Sequence, residues 1–230
     1  MKDLNTIPVI TIDGPSGTGK GTVSLMLANH LKWHYLDSGA IYRVLAYAVS
    51  ANNIAPTDVP AIVKLAKHLN LKFEVSNDLI CRVFLDGQDV SAEIREEGCG
   101  NQASIVAAIP EVRAQLLQRQ RDFAAAPGLI TDGRDMGTVV FPNATIKIFL
   151  NASVEERARR RYLQLKNIQD DVNLAQVVDR LAERDTRDAK RTCAPLRAAD
   201  DALHVDTTTL SAEQAFDCIL QSINERMNQC

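Results

Sequence analysis

The sequence predicts an α/β protein in which a parallel β-sheet carries helices on both of its faces. Five short apolar segments, rich in β-branched residues, alternate with stretches whose apolar residues have helical spacing. This alternation is typical of parallel sheets, because a connection between parallel strands must cross back over the sheet. One stretch departs from it. Residues 71–90 alternate apolar and polar side chains around two turns, which predicts a small antiparallel sheet inserted into the main fold.

The first predicted strand, over 8–12, is followed by a glycine-rich loop and by a helix that ends near Leu31. Glycines let backbone N–H groups wrap around a polyphosphate, the helix start adds free N–H groups, and a lysine adds a mobile cation. The sequence therefore predicts a phosphate-binding loop. Its members are Gly14, Pro15, Ser16, Gly17, Thr18, Gly19, Lys20, Gly21 and Thr22.

No protein ligand for a metal ion is predicted. In the usual form of this loop a Ser or Thr directly after the lysine binds magnesium, but Gly21 stands there and Thr22 comes one residue later. The four histidines and five cysteines are scattered and do not have the spacing of a zinc site. An odd number of isolated cysteines also argues against a disulfide framework and for a reducing compartment.

Two further predicted strands end in polar and charged residues. The strand over 34–37 leads into a helix that begins at Ser38 and reaches about Ser50. The strand over 129–132 leads into Gly133, Arg134 and Asp135. The carboxyl ends of strands line the ligand crevice of an open α/β sheet. Beside a phosphate-binding loop, these two clusters predict a second ligand pocket.

The other helices are predicted from capping residues and apolar stripes. Asp58 caps a helix with Pro60 in its first turn, helices resume near Asn101, and Pro110 begins a helix over 111–126. A fourth strand covers 144–150, and the last covers 202–206. Three later helix starts are predicted from capping pairs, which are Ser153 with Glu156, Asn173 with Gln176, and Ser211 with Gln214.

Arginines mark the two helices that precede the last strand. One group has the spacing of a single helical face, and a second group lies on the other side of a polar loop over 167–172. Beside a phosphate-binding loop, they predict a lid whose cations stabilise a transferring phosphoryl group. The first group is Arg180, Arg184, Arg187 and Arg191, and the second is Arg157, Arg159, Arg160 and Arg161.

Composition argues against several classes of protein. A formal net charge of −3 and an aromatic content of 5% disfavour a protein that binds nucleic acid over a broad surface. No apolar run approaches the length that spans a membrane, and the N-terminus lacks the apolar stretch of a signal peptide. We therefore expect a cytoplasmic protein that binds small molecules.

Together these motifs resemble bacterial cytidylate kinases, which are nucleoside monophosphate kinases of the P-loop NTPase type. The resemblance runs from the first strand to the last helix and includes the inserted antiparallel sheet. Besides the glycine-rich loop, it is carried by Leu36-Asp37-Ser38-Gly39-Ala40-Ile41-Tyr42-Arg43, by Asp132-Gly133-Arg134-Asp135-Met136-Gly137-Thr138, and by Glu183-Arg184-Asp185-Thr186-Arg187-Asp188.

The resemblance implies a five-stranded parallel sheet of strand order 2-3-1-4-5 with helices on both faces. It implies a core of residues 1–37, 115–156 and 190–230, a nucleoside-monophosphate-binding (NMP-binding) lobe of 38–114, and a short lid of 157–189. The reaction that it implies is transfer of the γ-phosphoryl group of ATP to CMP or dCMP, with Mg²⁺. The protein is expected to act as a monomer.

The resemblance also implies roles for individual residues. Ser104, Arg113 and Asp135 read the cytosine, while Ser38, Tyr42, Arg43 and Arg134 hold the acceptor nucleotide and its phosphate. Arg184 and Asp188 reach the ribose. Lys20 and the lid arginines, among them Arg184, Arg187 and Arg191, gather charge around the transferred group together with Arg134. Many relatives have Ser after the Asp that Asp188 matches, where this chain has Ala189.

Two alternatives stay open at the level of the sequence. The nearer is another small-molecule kinase on the same fold, acting on adenylate, uridylate or shikimate, from which the base-reading residues would distinguish it. The farther is a nucleotide-dependent switch of the GTPase kind. That class needs an Asn/Thr-Lys-x-Asp motif to read guanine, and the sequence contains none.

Overall fold

A computed structural model of the chain describes residues 7–76, 79–166 and 172–227. In chain order its helices and strands are β1 (Val9–Asp13), α1 (Lys20–Leu31), β2 (His34–Asp37), α2 (Ser38–Ala51), α3 (Val59–Lys67), β3 (Leu71–Val75), β4 (Cys81–Leu85), β5 (Gln88–Asp89), α4 (Glu97–Val106), α5 (Pro110–Arg121), β6 (Leu129–Gly133), β7 (Ile146–Asn151), α6 (Val154–Lys166), α7 (Leu174–Lys190), β8 (Leu203–Asp206) and α8 (Ala212–Met227). A 3₁₀ turn (Glu93–Arg95) precedes α4, and a turn of π-helix (Met136–Val140) follows β6.

The main sheet consists of five parallel strands in the spatial order β2-β6-β1-β7-β8. Counted among the parallel strands alone, this is the expected order 2-3-1-4-5. Every residue of β1 and β6 is buried, which is typical of central parallel strands with helices on both faces. The glycine-rich loop therefore leaves the sheet from its central strand.

The inserted segment forms a second, antiparallel sheet of three strands in the order β3-β4-β5. Asp86 and Gly87 join β4 to β5 with positive φ angles of 50° and 81°, a backbone conformation that such two-residue turns favour. The predicted hairpin is thus confirmed. Its neighbours α2 and α4 pack against each other and bring residues of the insertion toward the carboxyl edge of the main sheet.

Three details of the predicted elements are wrong. The helix α4 begins at Glu97, ahead of the predicted start near Asn101, and α5 ends at Arg121 because Phe123 and Ala124 donate to the carbonyls three residues back. The capping pair at α6 is half formed. The Ser153 hydroxyl accepts from the Glu156 N–H, but the Ser153 N–H donates to Thr208 and the Glu156 carboxylate binds arginines.

Asp58 accepts from the Ala61 N–H and Ser211 forms a reciprocal pair with Gln214, which confirms these two predicted caps. The Asn173–Gln176 pair is half formed. Asn173 accepts from the N–H groups of the second and third residues after it, but the described contacts include no return bond from the Gln176 side chain. The predicted polar loop over 167–172 lies outside the described residues except for Val172. Within 7–76, 79–166 and 172–227, no helix has both the length and the apolar character needed to span a bilayer.

Candidate active site

The glycine-rich loop has the geometry of an anion cradle at the start of α1. At Gly14, with φ +149°, an added Cβ atom would lie 2.1 Å from the Leu150 carbonyl oxygen. At Gly17, with φ +84°, it would lie 2.9 Å from Cβ of Arg157. Neither position tolerates a side chain. Gly19 provides the N-cap of α1 and no side chain caps that helix, so its first N–H groups are available to a phosphate.

Lys20 is buried inside this cradle with only 6% of its surface exposed. Its Nζ donates to the Pro15 carbonyl oxygen at 2.7 Å, an acceptor within its own loop. Burial and the neighbouring Arg134 guanidinium lower the pKa of the Lys20 ammonium, while the carboxylates of Asp132 and Asp13 raise it. An anionic ligand in the cradle would supply the negative charge that this ammonium lacks.

Asp13, at the carboxyl end of β1, joins the glycine-rich loop to the loop that carries Asp135. Its two carboxylate oxygens accept from the N–H groups of Met136 and Gly137, each at 2.8 Å. Burial raises the pKa of Asp13 to about 6. Asp13 was not among the predicted site residues, although a carboxylate that ends the strand directly before the glycine-rich loop was a signal that could have identified it.

A small cavity lies over the carboxyl ends of β2 and β6, enclosed by α2, α4, α5 and α7. Nearly all the predicted substrate-binding residues meet there. The space that a water-sized molecule can enter is about 50 Å³. The predicted residues that line it are Ser38, Tyr42, Ser104, Arg113, Arg134, Asp135, Arg184, Asp188 and Arg191.

Arg113 and Asp135 form a buried ion pair at one end of this cavity. Their side chains are 7% and 3% exposed, and Arg113 Nη2 donates to Asp135 Oδ2. Arg113 Nη1 donates to the Ala107 carbonyl oxygen at 3.2 Å, and its guanidinium lies 5.5 Å from the centre of the Tyr42 ring. Arg113 is held in place by these contacts and in turn orients the Asp135 carboxylate, so the pair presents a fixed pattern of donors and acceptors to a ligand.

Asp188 is the charged centre at the other end of the cavity. It is 1% exposed and accepts from three groups: Arg134 Nε at 2.9 Å, the Ser104 hydroxyl at 3.2 Å, and Arg191 Nη2. The two guanidinium groups hold the pKa of this carboxyl well below its usual range, against the opposing effect of burial. These contacts join β6, α4 and the end of α7 around one carboxylate.

Three buried donors of the cavity lining have no acceptor among the described residues. They are the Tyr42 hydroxyl and the Nε groups of Arg184 and Arg191. Arg184 forms no ion pair with a described carboxylate, and burial together with the cations of Arg134 and Arg43 lowers its pKa to about 9. Unsatisfied buried donors are rare in native proteins, and an anionic ligand would satisfy these three.

The predicted face of lid arginines meets the cavity only in part. Arg180 is exposed, and Arg187 donates to the Asn101 side chain of α4 at 3.0 Å, so only Arg184 and Arg191 line the cavity. Because α7 ends at Lys190, Arg191 lies beyond the helix and its direction does not follow helical spacing. Most arginines of this region already have carboxylate partners, through Arg157–Asp185, Arg159–Glu156, Arg160–Glu156, Arg161–Glu97 and Arg191–Asp188.

Two further predicted residues lie outside the cavity lining. Arg43 donates to the Ile94 carbonyl oxygen at 2.8 Å and packs beside Gly100, which ties α2 to α4. Ala189, which replaces the Ser of many relatives, is exposed. The departure from the family pattern at this position therefore leaves the cavity lining unchanged.

A second, more open cavity of about 360 Å³ lies on the outer side of the glycine-rich loop. Residues of α6 and α8 form its walls, including Arg159, Arg160 and Ala215, while Gly17 and Thr22 belong to the loop itself. Arg160 of α6 donates to the carbonyls of Thr18 and Thr207, which fixes the loop against α6 and against the turn that follows β8. This second cavity is lined by residues of the loop itself, whereas the first meets the loop through Arg134, whose guanidinium lies near Lys20.

Comparison with known proteins gives the same assignment over nearly the whole chain. The family model described as cytidylate kinase matches residues 10–225. A cytidylate kinase of Stutzerimonas stutzeri is 54% identical over 224 residues, which is 97% of this chain and 98% of that protein. A cytidylate kinase of Nitrosococcus oceani is 55% identical over 215 residues, covering 93% and 95% of the two chains.

One solved structure, of an uncharacterized protein from Eubacterium ventriosum, has the same fold with a TM-score of 0.50 at 12% identity, over 96% of this chain and 99% of its own. At that identity the likeness concerns the fold alone. The sequence matches are far closer. They show that the chain belongs to the cytidylate kinase family.

Proposed function

We propose that this kinase transfers the γ-phosphoryl group of ATP to CMP or dCMP, giving ADP and CDP or dCDP. The observation that carries the proposal is the buried Arg113–Asp135 pair in a cavity next to the glycine-rich loop. Cytosine presents an amine that donates and a ring nitrogen and carbonyl that accept. Asp135 can accept from the amine, and Arg113 can donate to the other two groups.

The remaining cavity residues are proposed to hold the sugar and phosphate of the acceptor. Ser38, Tyr42, Arg43 and Arg134 bind the nucleotide and its phosphate, and Arg184 and Asp188 reach the ribose. Ser104 completes the contacts to the nucleoside from α4. Support comes from the three unsatisfied donors of Tyr42, Arg184 and Arg191, since a phosphate and ribose bring the acceptors that they lack.

ATP is proposed to bind with its phosphates in the loop of Gly14–Thr22 and its nucleoside in the cavity of α6 and α8. The described carboxylates and histidines form no cluster of three that could hold a metal ion. This fits Mg²⁺, which binds mainly to substrate phosphates and water with one or two carboxylates. Asp132 is the carboxylate that would hold Mg²⁺, because it lies at the end of β6 near Lys20. Its Oδ1 accepts a hydrogen bond from the Tyr35 hydroxyl. Mg²⁺, when bound, would neutralise phosphate charge.

The chain's own contribution to the chemistry is orientation and charge. The attacking oxygen of a nucleoside monophosphate is already ionised, so the reaction needs no strong general base, and no histidine lines the cavity among the described residues. Lys20, Arg134, Arg184 and Arg191 are proposed to stabilise the charge on the transferred group, and Arg187 would join them only after leaving Asn101. Fixed cations in a site without water supply most of the catalysis in phosphoryl transfer.

Replacing Arg184 with Met is expected to lower kcat by about 10²-fold, the effect of removing one oriented charge from the transition state. The same change should raise the free energy of unfolding of the ligand-free protein, because Arg184 is a half-buried cation without a described carboxylate partner and its Nε is unsatisfied. Steady-state kinetics and urea unfolding measure the two effects. Arg180→Met is the matched control, since Arg180 is exposed on the same helix. A less stable Arg184→Met protein with full turnover would contradict this role.

The region 157–189 is proposed to act as a lid over the core, and 38–114 as the NMP-binding lobe. The lid contacts this lobe through Arg161–Glu97, Arg187–Asn101 and Asp188–Ser104. Opening of the lid for CMP would break these contacts.

Hydrogen exchange of the amides in α6 and α7 is expected to slow markedly only when CMP and an ATP analogue are both present. Both sets of phosphates are then available to the arginines, which stabilises the closed arrangement. Amides of α1 and β6 in the core serve as the reference for global stability. Equal protection of α6 and α7 in the free protein would remove lid closure from the mechanism.

The proposed partners are small molecules, and the proposed state is a cytoplasmic monomer that binds no nucleic acid or membrane. The free thiols of Cys81, Cys99, Cys193 and Cys218 fit a reducing compartment. None of these four cysteines lines the nucleotide cavity.

A coupled assay of ADP formation with a panel of acceptors tests the proposed function. CMP and dCMP are expected to support turnover, while UMP, AMP and shikimate support far less, because only cytosine matches Asp135 and Arg113. Preference for AMP, UMP or shikimate would instead favour another kinase of the same fold. ADP formation that needs no acceptor would favour a nucleotide switch.

A further inference from the structure

Gln120, a buried residue of α5, contacts the cavity from behind and belongs to none of the motifs of the family resemblance. It is 1% exposed and accepts a hydrogen bond at 2.7 Å from the Ser38 hydroxyl to its Oε1. Its Nε2 donates to the Leu116 carbonyl oxygen at 3.3 Å. Because a carbonyl can only accept, this second contact assigns Nε2 to Leu116 and Oε1 to Ser38.

Gln120 lies two helical turns after Arg113, on the same face of α5. The facing helix α2 presents Ser38 and, one turn later, Tyr42. Arg113 packs over the Tyr42 ring, while Gln120 holds Ser38. One face of α5 thus supplies Arg113, which lines the cavity, and Gln120, which holds the lining residue Ser38 in place.

The direction of the Ser38–Gln120 hydrogen bond decides what Ser38 offers to a ligand. A hydroxyl has one hydrogen and two lone pairs, and Gln120 takes the hydrogen. Ser38 therefore meets a ligand as an acceptor. A Cβ atom added at Gly133 would lie 3.3 Å from the Cβ atom of Ser38. Ser38 therefore adjoins the loop that carries Asp135.

We propose that Gln120 is a positioning residue for the choice of base, since it fixes Ser38 as a second acceptor beside Asp135. The exocyclic amine of cytosine has two hydrogens, and this arrangement provides one acceptor for each. Uracil has a carbonyl at that position, which would face two acceptors and no donor. The inference rests on the proposed function and extends it by adding Gln120, which does not contact the nucleotide.

Replacing Gln120 with Leu tests the proposal, because it keeps the volume and removes the acceptor for Ser38. The ratio of kcat/KM for CMP to that for UMP should fall about tenfold, the change expected when one oriented hydrogen bond is lost. The KM for ATP should stay within about twofold. Gln120→Glu keeps an acceptor for Ser38 and should retain most of the ratio, and Gln118→Leu is the control because Gln118 is exposed on the same helix.

A double-mutant cycle separates positioning from a general effect on packing. In a Ser38→Ala background, Gln120→Leu should leave the CMP-to-UMP ratio unchanged, whereas an effect of Gln120 through the neighbouring Tyr42 hydroxyl would persist there. If Gln120→Leu does not fold, Gln120→Met takes its place, since that side chain adapts to irregular space.

A folded variant without the acceptor that keeps the wild-type ratio would overturn the proposal, as would equal effects in both backgrounds. Failure of the wild type to phosphorylate CMP would instead reject the proposed function itself.

Discussion

Replacing Asp135 with Ala, or Arg113 with Met, is expected to lower kcat/KM for CMP by about 10³-fold and to narrow the preference for CMP over UMP. The proposed site pairs Asp135 with the amine of cytosine and Arg113 with its ring nitrogen and carbonyl. A site built around such hydrogen bonds rejects a ligand that leaves its buried polar groups unpaired. The KM for ATP should change little, because the donor is proposed to bind in the second cavity, beside the glycine-rich loop.

The same substitutions should also cost stability, because each leaves one buried charge without its partner. Their side chains are 7% and 3% exposed, and breaking such a pair typically costs about 3–5 kcal/mol. The double variant Arg113→Met with Asp135→Leu is the matched control, since it removes both charges and should regain much of the stability but none of the activity. Steady-state kinetics on CMP, dCMP and UMP, with thermal unfolding of each variant, measure both effects. Single variants that keep the wild-type preference for cytosine would place base recognition elsewhere.

Lys20→Ala is expected to lower kcat by about 10²- to 10³-fold, the equivalent of roughly 3 kcal/mol or more of transition-state stabilisation. Its stability should not fall in parallel. The Lys20 ammonium is buried with a lowered pKa, and removing a desolvated cation relieves the folded state of that cost. The mutant should therefore fold normally and catalyse poorly.

The exposed Lys64 of α3 provides the control for this change, because Lys64→Ala removes the same side chain far from the glycine-rich loop. Melting temperature and single-turnover kinetics with CMP distinguish folding from chemistry. Near-full turnover of Lys20→Ala with an unchanged melting temperature would show that the loop of Gly14–Thr22 does not hold the transferred phosphate.

The sheet was predictable from the sequence because its signals are local. Buried parallel strands are continuous apolar runs, and the glycines around Lys20 follow β1 directly. The two charged clusters at strand ends could be placed on one edge of the sheet from the same rule, and Ser38 and Asp135 do line one cavity. Helix ends were less predictable, since α5 stops at Arg121 where tertiary packing of Phe123 outweighs the local pattern.

The pairing of charges across the cavity could not be predicted, because partners far apart in sequence carry no local signal. Asp188 binds Arg134 from 54 residues away, and Gln120 binds Ser38 from 82 residues away. Helical spacing put Arg180, Arg184, Arg187 and Arg191 on one face. In the structure two of them, Arg184 and Arg191, line the cavity. Arg187 instead donates to the Asn101 side chain, and α7 ends at Lys190, before Arg191.

The fate of the γ-phosphoryl group of ATP tests the central claim most directly. Wild-type protein is incubated with Mg²⁺, CMP and ATP that carries a radioactive label in its γ-phosphate, and the products are separated. The proposed mechanism predicts that the label appears in CDP in proportion to the ADP formed, and that omitting CMP abolishes ADP formation. Label released as inorganic phosphate, or ADP formed at the same rate without CMP, would contradict it.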